Sequence, residues 1–160
     1  MAVTLATSLP RATDTQDAPI RQAVISGVGA TRTITEGETG CQFLFDRTAG
    51  NIYTLPAPRL GLTYDFFVSV SGTASDIHKV ITNSATGFLL GAVTMVSIAT
   101  ASPAGFSANG TSIVSLTLNA TTDGGLLGGW ARFVALNSTQ WGVYGVLVGS
   151  GTIETPFQTT

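Results

Sequence analysis

"AGNIYTLPAPRLGLTYDFFVSV", residues 49–70, is the stretch whose reading decides the fold. Over residues 63–70 the side chains alternate. Tyr64, Phe66, Val68 and Val70 fall on one side and Thr63, Asp65, Phe67 and Ser69 on the other. That period of two is a β-strand with one apolar and one mostly polar face. A second strand-like piece, residues 51–55, runs into Pro56-Ala57-Pro58. Two prolines fix φ and remove two backbone donors, so the chain cannot continue as a central strand and has to turn out of its sheet. Gly61 then permits re-entry for the next strand.

The same period recurs in short runs at residues 31–35, 41–45, 79–82, 88–97, 112–118, 130–137 and 141–148. Turn clusters separate them: "EGETG", "NSATG", "SPAGFSANG" and "TTDGGLLGG". No window carries an i, i+3, i+4, i+7 stripe with caps, so no helix is expected. Many short strands between turn signals imply an all-β antiparallel β-sandwich, jelly-roll-like, over residues 29–160. "WARFVALNSTQWGVYGVLV" reads as a hairpin turning near residues 136–139. Its second arm is apolar on both faces, so that strand is central or covered by another chain. Phe66, Val68, Phe133, Val134, Trp141 and Val143 are the expected core.

Residues 1–28 lack sustained alternation and carry Pro10, Pro19, Arg11, Asp14, Asp17 and Arg21. Such a segment cannot bury enough apolar surface to fold alone. We read it as an extended N-terminal arm whose Val3, Leu5, Leu9, Ile20, Val24 and Ile25 can dock on a partner. Phe67, Tyr144 and Val146 are left over once one sandwich core is filled, and are the expected partner-binding residues of the domain. Large unpaired apolar faces are unusual for a monomer, which implies self-association as a homotrimer.

Composition narrows the function. Only 10% of the 160 residues are charged and the formal net charge is −2. Six scattered arginines and the one lysine, Lys79, make no phosphate-neutralising patch, which argues against nucleic-acid binding. One cysteine and one histidine cannot build a Cys/His zinc site. The N-terminus meets Pro10, Arg11 and Asp14 before any apolar run of export-signal length, and "FLLGAVTMVSIA" is too short to span a bilayer. A soluble chain with no membrane partner is expected. Sheet edges are usually guarded by lysines, charges or prolines, and this chain has few, so partner subunits are expected to cover them.

Reactive constellations are sparse. His78 lies two residues from Asp76, the spacing of an imagined base and its orienting carboxylate, but no nucleophile goes with them. Glu36, Glu38 and Asp46 sit at turns and strand ends, and nothing selects a glycosidase pair. No calcium-loop or phosphate-loop pattern is present. Asn-x-Ser/Thr triplets begin at Asn109, Asn119 and Asn137 in a chain rich in threonine. No catalytic residue, metal or cofactor is expected, and the chain is read as non-enzymatic.

"TAGNIYTLPAPRLGLTYDFFVSVSGTASDIHKVIT" and "GGWARFVALNSTQWGVYGVLVGSGTIETPF" resemble, in this order, parts of small structural proteins of tailed bacteriophages. Trp130, Arg132, Phe133, Val134, Trp141 and Gly145 would be the recurring positions and Thr155-Pro156-Phe157 a closing tag. The resemblance covers about residues 30–158. It implies a capsid decoration (cement) protein, a β-sandwich on the outer surface of an icosahedral head that binds the major capsid protein, often as trimers, and stabilises the lattice. Related modules serve in tails and spikes. A carbohydrate- or receptor-binding β-domain is therefore the alternative, with Trp130, Trp141, Tyr53 or Tyr64 as stacking platforms.

Overall fold

The computed structural model describes residues 22–83, 87–100 and 102–160. Among these residues twelve strands form two sheets. The first sheet holds β1 (Val24–Ile25), β3 (Gln42–Phe45), β5 (Thr63–Val68), β7 (Phe88–Ser97), β8 (Ala104–Asn109), β10 (Trp130–Ala135) and β11 (Gln140–Gly149), in the order β1-β3-β5-β10-β11-β7-β8. The second holds β2 (Thr31–Thr33), β4 (Ile52–Thr54), β6 (His78–Ile81), β9 (Ser115–Leu118) and β12 (Phe157–Gln158), in the order β12-β9-β6-β4-β2. The sheets pack face to face, so the chain is an all-β sandwich.

The two sheets are mixed, which corrects the expected antiparallel, jelly-roll-like pairing. The chain changes sheet at every step from β1 to β7. A strand reached after one excursion through the opposite sheet starts again at the same end, so it runs parallel to its predecessor. β1, β3 and β5 are accordingly parallel neighbours, as are β2, β4 and β6. Parallel pairs normally need a long crossover. Here the strand of the other sheet is that crossover. Only the expected hairpin β10–β11 and the pair β7–β8 join strands consecutive in sequence within one sheet.

The opening stretch makes one such crossing. Tyr53 of β4 faces the core, Leu55 N–H donates to Ile81 O at 2.9 Å, and Pro56–Pro58 then carries the chain to the other sheet. Gly61, at φ +92°, closes a turn in which Leu62 N–H donates to Arg59 O, and β5 begins. Before β4, Gly50 holds φ +75°, and a Cβ there would stand 2.2 Å from Ile77 O. Neither the conformation nor the space admits another residue.

The core lies between the sheets. Phe43, Phe45, Tyr64, Phe66, Val68, Phe133, Trp141 and Val143 meet Tyr53, Val80, Leu116 and Leu118, all buried. Phe66 is the centre of an aromatic cluster, with ring centroids 5.5 Å from Phe43, 5.8 Å from Phe45, 5.4 Å from Tyr53 and 5.3 Å from Phe133. Val134 is a correction to the expected core. It alternates with Phe133, so it points to the opposite face and is half-buried.

"SPAGFSANG", read as a turn, contains edge strand β8. Gly105, Ser107 and Asn109 look like turn residues in sequence, yet pairing with β7 over Leu90–Met95 holds them extended. "EGETG" does form a turn, one 3-10 turn at Glu36–Glu38, where Glu38 accepts from Thr35 N–H (2.8 Å) and Thr35 Oγ1 (2.9 Å). Residues 22–28 of the expected arm are tied to the first sheet through β1, and residues 1–21 lie outside the described residues.

Phe66→Ala removes the ring on which four others converge and is expected to destabilise the fold by about 3–5 kcal/mol. Urea unfolding checks this, with Val134→Ala, on the outer side, costing about 1 kcal/mol.

Candidate functional site

The only histidine is a structural joint. His78 is fully buried on β6; its Nδ1 accepts from Asn51 N–H at 3.2 Å, which leaves Nε2–H to donate to Val70 O at 2.9 Å. Its ring lies 4.7 Å from that of Phe45. Asn51, also buried, donates to Gly29 O at 2.8 Å and accepts from Asp46 N–H at 3.0 Å. The imagined companion Asp76 is elsewhere, closing its own turn: its carboxylate accepts from Thr73 Oγ1 and its N–H donates to the same oxygen. A ring nitrogen that accepts from the backbone must be unprotonated, and burial, which outweighs the Val70 carbonyl and the Asp46 charge, holds the imidazole below its ordinary value of 6.5.

Two of the turn acids form ion pairs. Glu38 pairs with Arg32 and Glu36 with Arg59. Among the described residues no group of three or more His, Cys, Asp or Glu side chains could hold a metal ion. The three Asn-x-Ser/Thr triplets prove to be turns: Asn109 Oδ1 accepts from Thr111 N–H, Asn119 Oδ1 from Thr121 N–H and Asn137 Oδ1 from Thr139 N–H. Each asparagine replaces a backbone carbonyl in an Asx-turn two residues long. An open cavity of about 460 Å³ is lined by Lys79, Ile81, Phe88, Val114 and Thr160, but the Lys79 amine already donates to Thr160 O at 2.8 Å.

What remains is the outer face of the seven-stranded sheet. Residues directly paired across strands project on the same side. Because Tyr64, Phe66 and Val68 point inward, Asp65 and Phe67 point outward. The register therefore aligns Leu44, Phe67, Trp130, Val146 and Thr94 in one row across five strands. The adjacent row runs Val24, Gln42, Asp65, Arg132, Tyr144, Ala92 and Ser107. Phe67 and Val146 are half-buried by their neighbours, while Trp130 is 41% and Tyr144 47% exposed. Leu90, Val96 and Leu136 add further exposed apolar surface.

A charge pair sits in the middle of this face. Asp65 accepts from Arg132 through both carboxylate oxygens and from Gln22 Nε2 at 2.6 Å. Partial burial opposes the charged carboxylate, but the Arg132 and Gln22 hydrogen bonds and the Arg132 charge outweigh it and hold Asp65 below its ordinary range. The pair cancels its own charge and leaves the face apolar around a polar centre.

The face thus brings together Phe67, Tyr144 and Val146, with Val24 exposed at its margin. Ile25 turns inward and packs on the core. Val3, Leu5, Leu9 and Ile20 lie outside the described residues. Of the four aromatic side chains considered as stacking platforms, Trp141, Tyr53 and Tyr64 are buried, the tyrosine hydroxyls bonded to Leu44 O and Thr35 O. Only Trp130 is open. Sequence reading missed the Asp65–Arg132 pair, although Arg132, Trp130 and Val134 share one parity along β10. No protein-family model, curated protein or solved structure matches the chain.

The His78 joint makes stability depend on pH with a definite sign. Between the depressed folded value and the ordinary 6.5 only the unfolded chain takes up the proton, so stability is full above about pH 6.5 and falls as the pH drops below it. The Asp65 contribution, by contrast, persists until the pH falls below the ordinary carboxylate value. Urea unfolding between pH 5 and 8 is expected to show this slope in the wild type and none in His78→Ala, which is also about 2–4 kcal/mol less stable for the lost contacts.

Proposed function

We propose that the chain is a non-enzymatic structural protein of a phage virion, a capsid decoration protein that uses the outer face of its seven-stranded sheet against neighbouring subunits. The observation that carries this reading is the row Leu44–Phe67–Trp130–Val146. It is an apolar band across the broad side of the sheet, open at Trp130 and bordered by the exposed Tyr144 of the adjacent row. A monomer gains nothing from exposing such a band, whereas a contact that covers it removes apolar surface from water.

The partners in this reading are the major capsid protein and further copies of the chain, arranged as a homotrimer on the outer capsid surface. The chemistry suits a lattice clamp. With few exposed charges and many hydroxyl and apolar groups, the contact draws little on ion pairs, which salt screens. The sequence resemblance points the same way, and His78 and Glu38 are held in bonds within the fold.

One observation favours a second reading. Trp130 and Tyr144 flank a self-neutralised arginine–carboxylate pair on the open face, a combination of stacking ring and hydrogen-bonding groups that also suits a sugar. A tail or spike domain that binds carbohydrate would use it so.

Quantitative mass spectrometry of purified particles decides between them: hundreds of copies per particle are expected for decoration, a handful for a tail. In a reconstitution with undecorated heads, Trp130→Asp combined with Tyr144→Asp is expected to weaken binding by roughly a hundredfold, about 3 kcal/mol, with the melting temperature nearly unchanged. Wild-type binding should survive high salt. Unimpaired binding by the double variant would remove this face from the contact.

A further inference from the structure

Among the described residues, strand β8 ends one edge of the seven-stranded sheet and pairs on one side only, with β7. At the start of that pairing Gly110 N–H donates to Leu89 O at 2.8 Å. The alternation of an antiparallel ladder then turns the backbone groups of Ala104, Phe106 and Ala108 toward β7 and those of Gly105, Ser107 and Asn109 away from it. Among the described residues, no backbone bond outside the ladder reaches residues 104–109. The strand also carries no lysine, no other charge and no proline, the usual guards of an exposed edge.

We propose that this edge receives residues 2–9 of a neighbouring copy as an added strand. The inference rests on the self-assembly contained in the proposed function. Residues 2–9, "AVTLATSL", are eight uncharged residues ended by Pro10, long enough to cover a six-residue edge. Alternation sets Val3 and Leu5 on one side and Thr4 and Ala6 on the other, as in a strand that lies along a sheet. The backbone of such a strand would supply partners for Gly105, Ser107 and Asn109, the mode of recognition known as β-augmentation.

The course of the chain favours donation between copies. The twenty-one residues that precede Gln22 join the sheet at β1, the edge opposite β8. Six strand spacings, roughly 29 Å, separate the two edges. Within one copy the connecting residues 10–21 would have to cross the apolar outer face, yet they carry Arg11, Asp14, Asp17 and Arg21. In the proposed arrangement the β1 edge of one molecule would stand beside the β8 edge of the next. Twelve residues reach roughly 40 Å when extended, so the donor strand spans that junction without laying charges on the face. Unlike edges joined in this way form a head-to-tail contact, which closes into a ring such as a trimer when the rotation between copies permits it.

Disulfide trapping in the full-length chain tests this. In a Cys41→Ser background, Ser107→Cys is combined with Thr4→Cys or Leu5→Cys, one for each side of the donor strand, and mild oxidation is followed by mass measurement under denaturing conditions. Covalent oligomers are expected only when both cysteines are present. Adding Gly105→Pro, which removes an outward N–H and no bond to β7, should cut their yield roughly tenfold with the melting temperature held within a few degrees. A bond closed within one chain, a covalent dimer from Ser107→Cys alone, no bond at either position, or a yield indifferent to Gly105→Pro would each overturn the inference. If trapping fails while the chain still binds heads, only this inference falls. If heads are not bound, the decoration reading falls.

Discussion

The packing of Phe66 against Phe43, Phe45, Tyr53 and Phe133 is the interaction on which the rest of this structure depends. It joins β3, β5 and β10 of one sheet to β4 of the other, and each of its rings is buried. With one residue in ten charged and no disulfide, the chain has little else to hold two sheets together. Edge-to-face contacts add to the burial, so both the amount of apolar surface and its geometry support the arrangement. The strand that contributes Phe66 also carries Asp65 and Phe67 outward, so the core sets the position of the candidate site on the opposite face.

The repeated crossing between sheets imposes a second demand. Each passage takes backbone through the rim of the sandwich, where polar groups must find partners. The joint of His78 and Asn51 meets that demand at one end, linking the residues before β2, the β3–β4 turn, β6 and the strand end at Val70. The Asx-turns at Asn109, Asn119 and Asn137 do the same for three other connections. In this light the residues that look most chemical in the sequence are consumed by the architecture. The outer face, by contrast, is broad, nearly uncharged and carried on a continuous seven-stranded sheet.

The sequence by itself determined the class of fold and the inward side of most strands, because alternation is a local property. Tyr64, Phe66 and Val68 alternate with Thr63, Asp65 and Phe67, and no other partner is needed to tell the two sides apart. The proline turn at residues 56–58 and the hairpin between β10 and β11 were legible for the same reason. Strand pairing was not, since alternation records which side is apolar and says nothing of which sheet receives the strand. The parallel runs of β1, β3 and β5 therefore came only from the three-dimensional path of the chain. Strand β8 was hidden because its Gly, Ser and Asn residues are extended by pairing with β7 and not by their own preference. The candidate face was half legible: Phe67, Tyr144 and Val146 stood out as surplus apolar residues, while the exposure of Trp130, the burial of Trp141 and the Asp65–Arg132 pair were decided by tertiary structure. Two tryptophans in one hairpin differ in fate because a shift of one residue in register reverses the side to which each points.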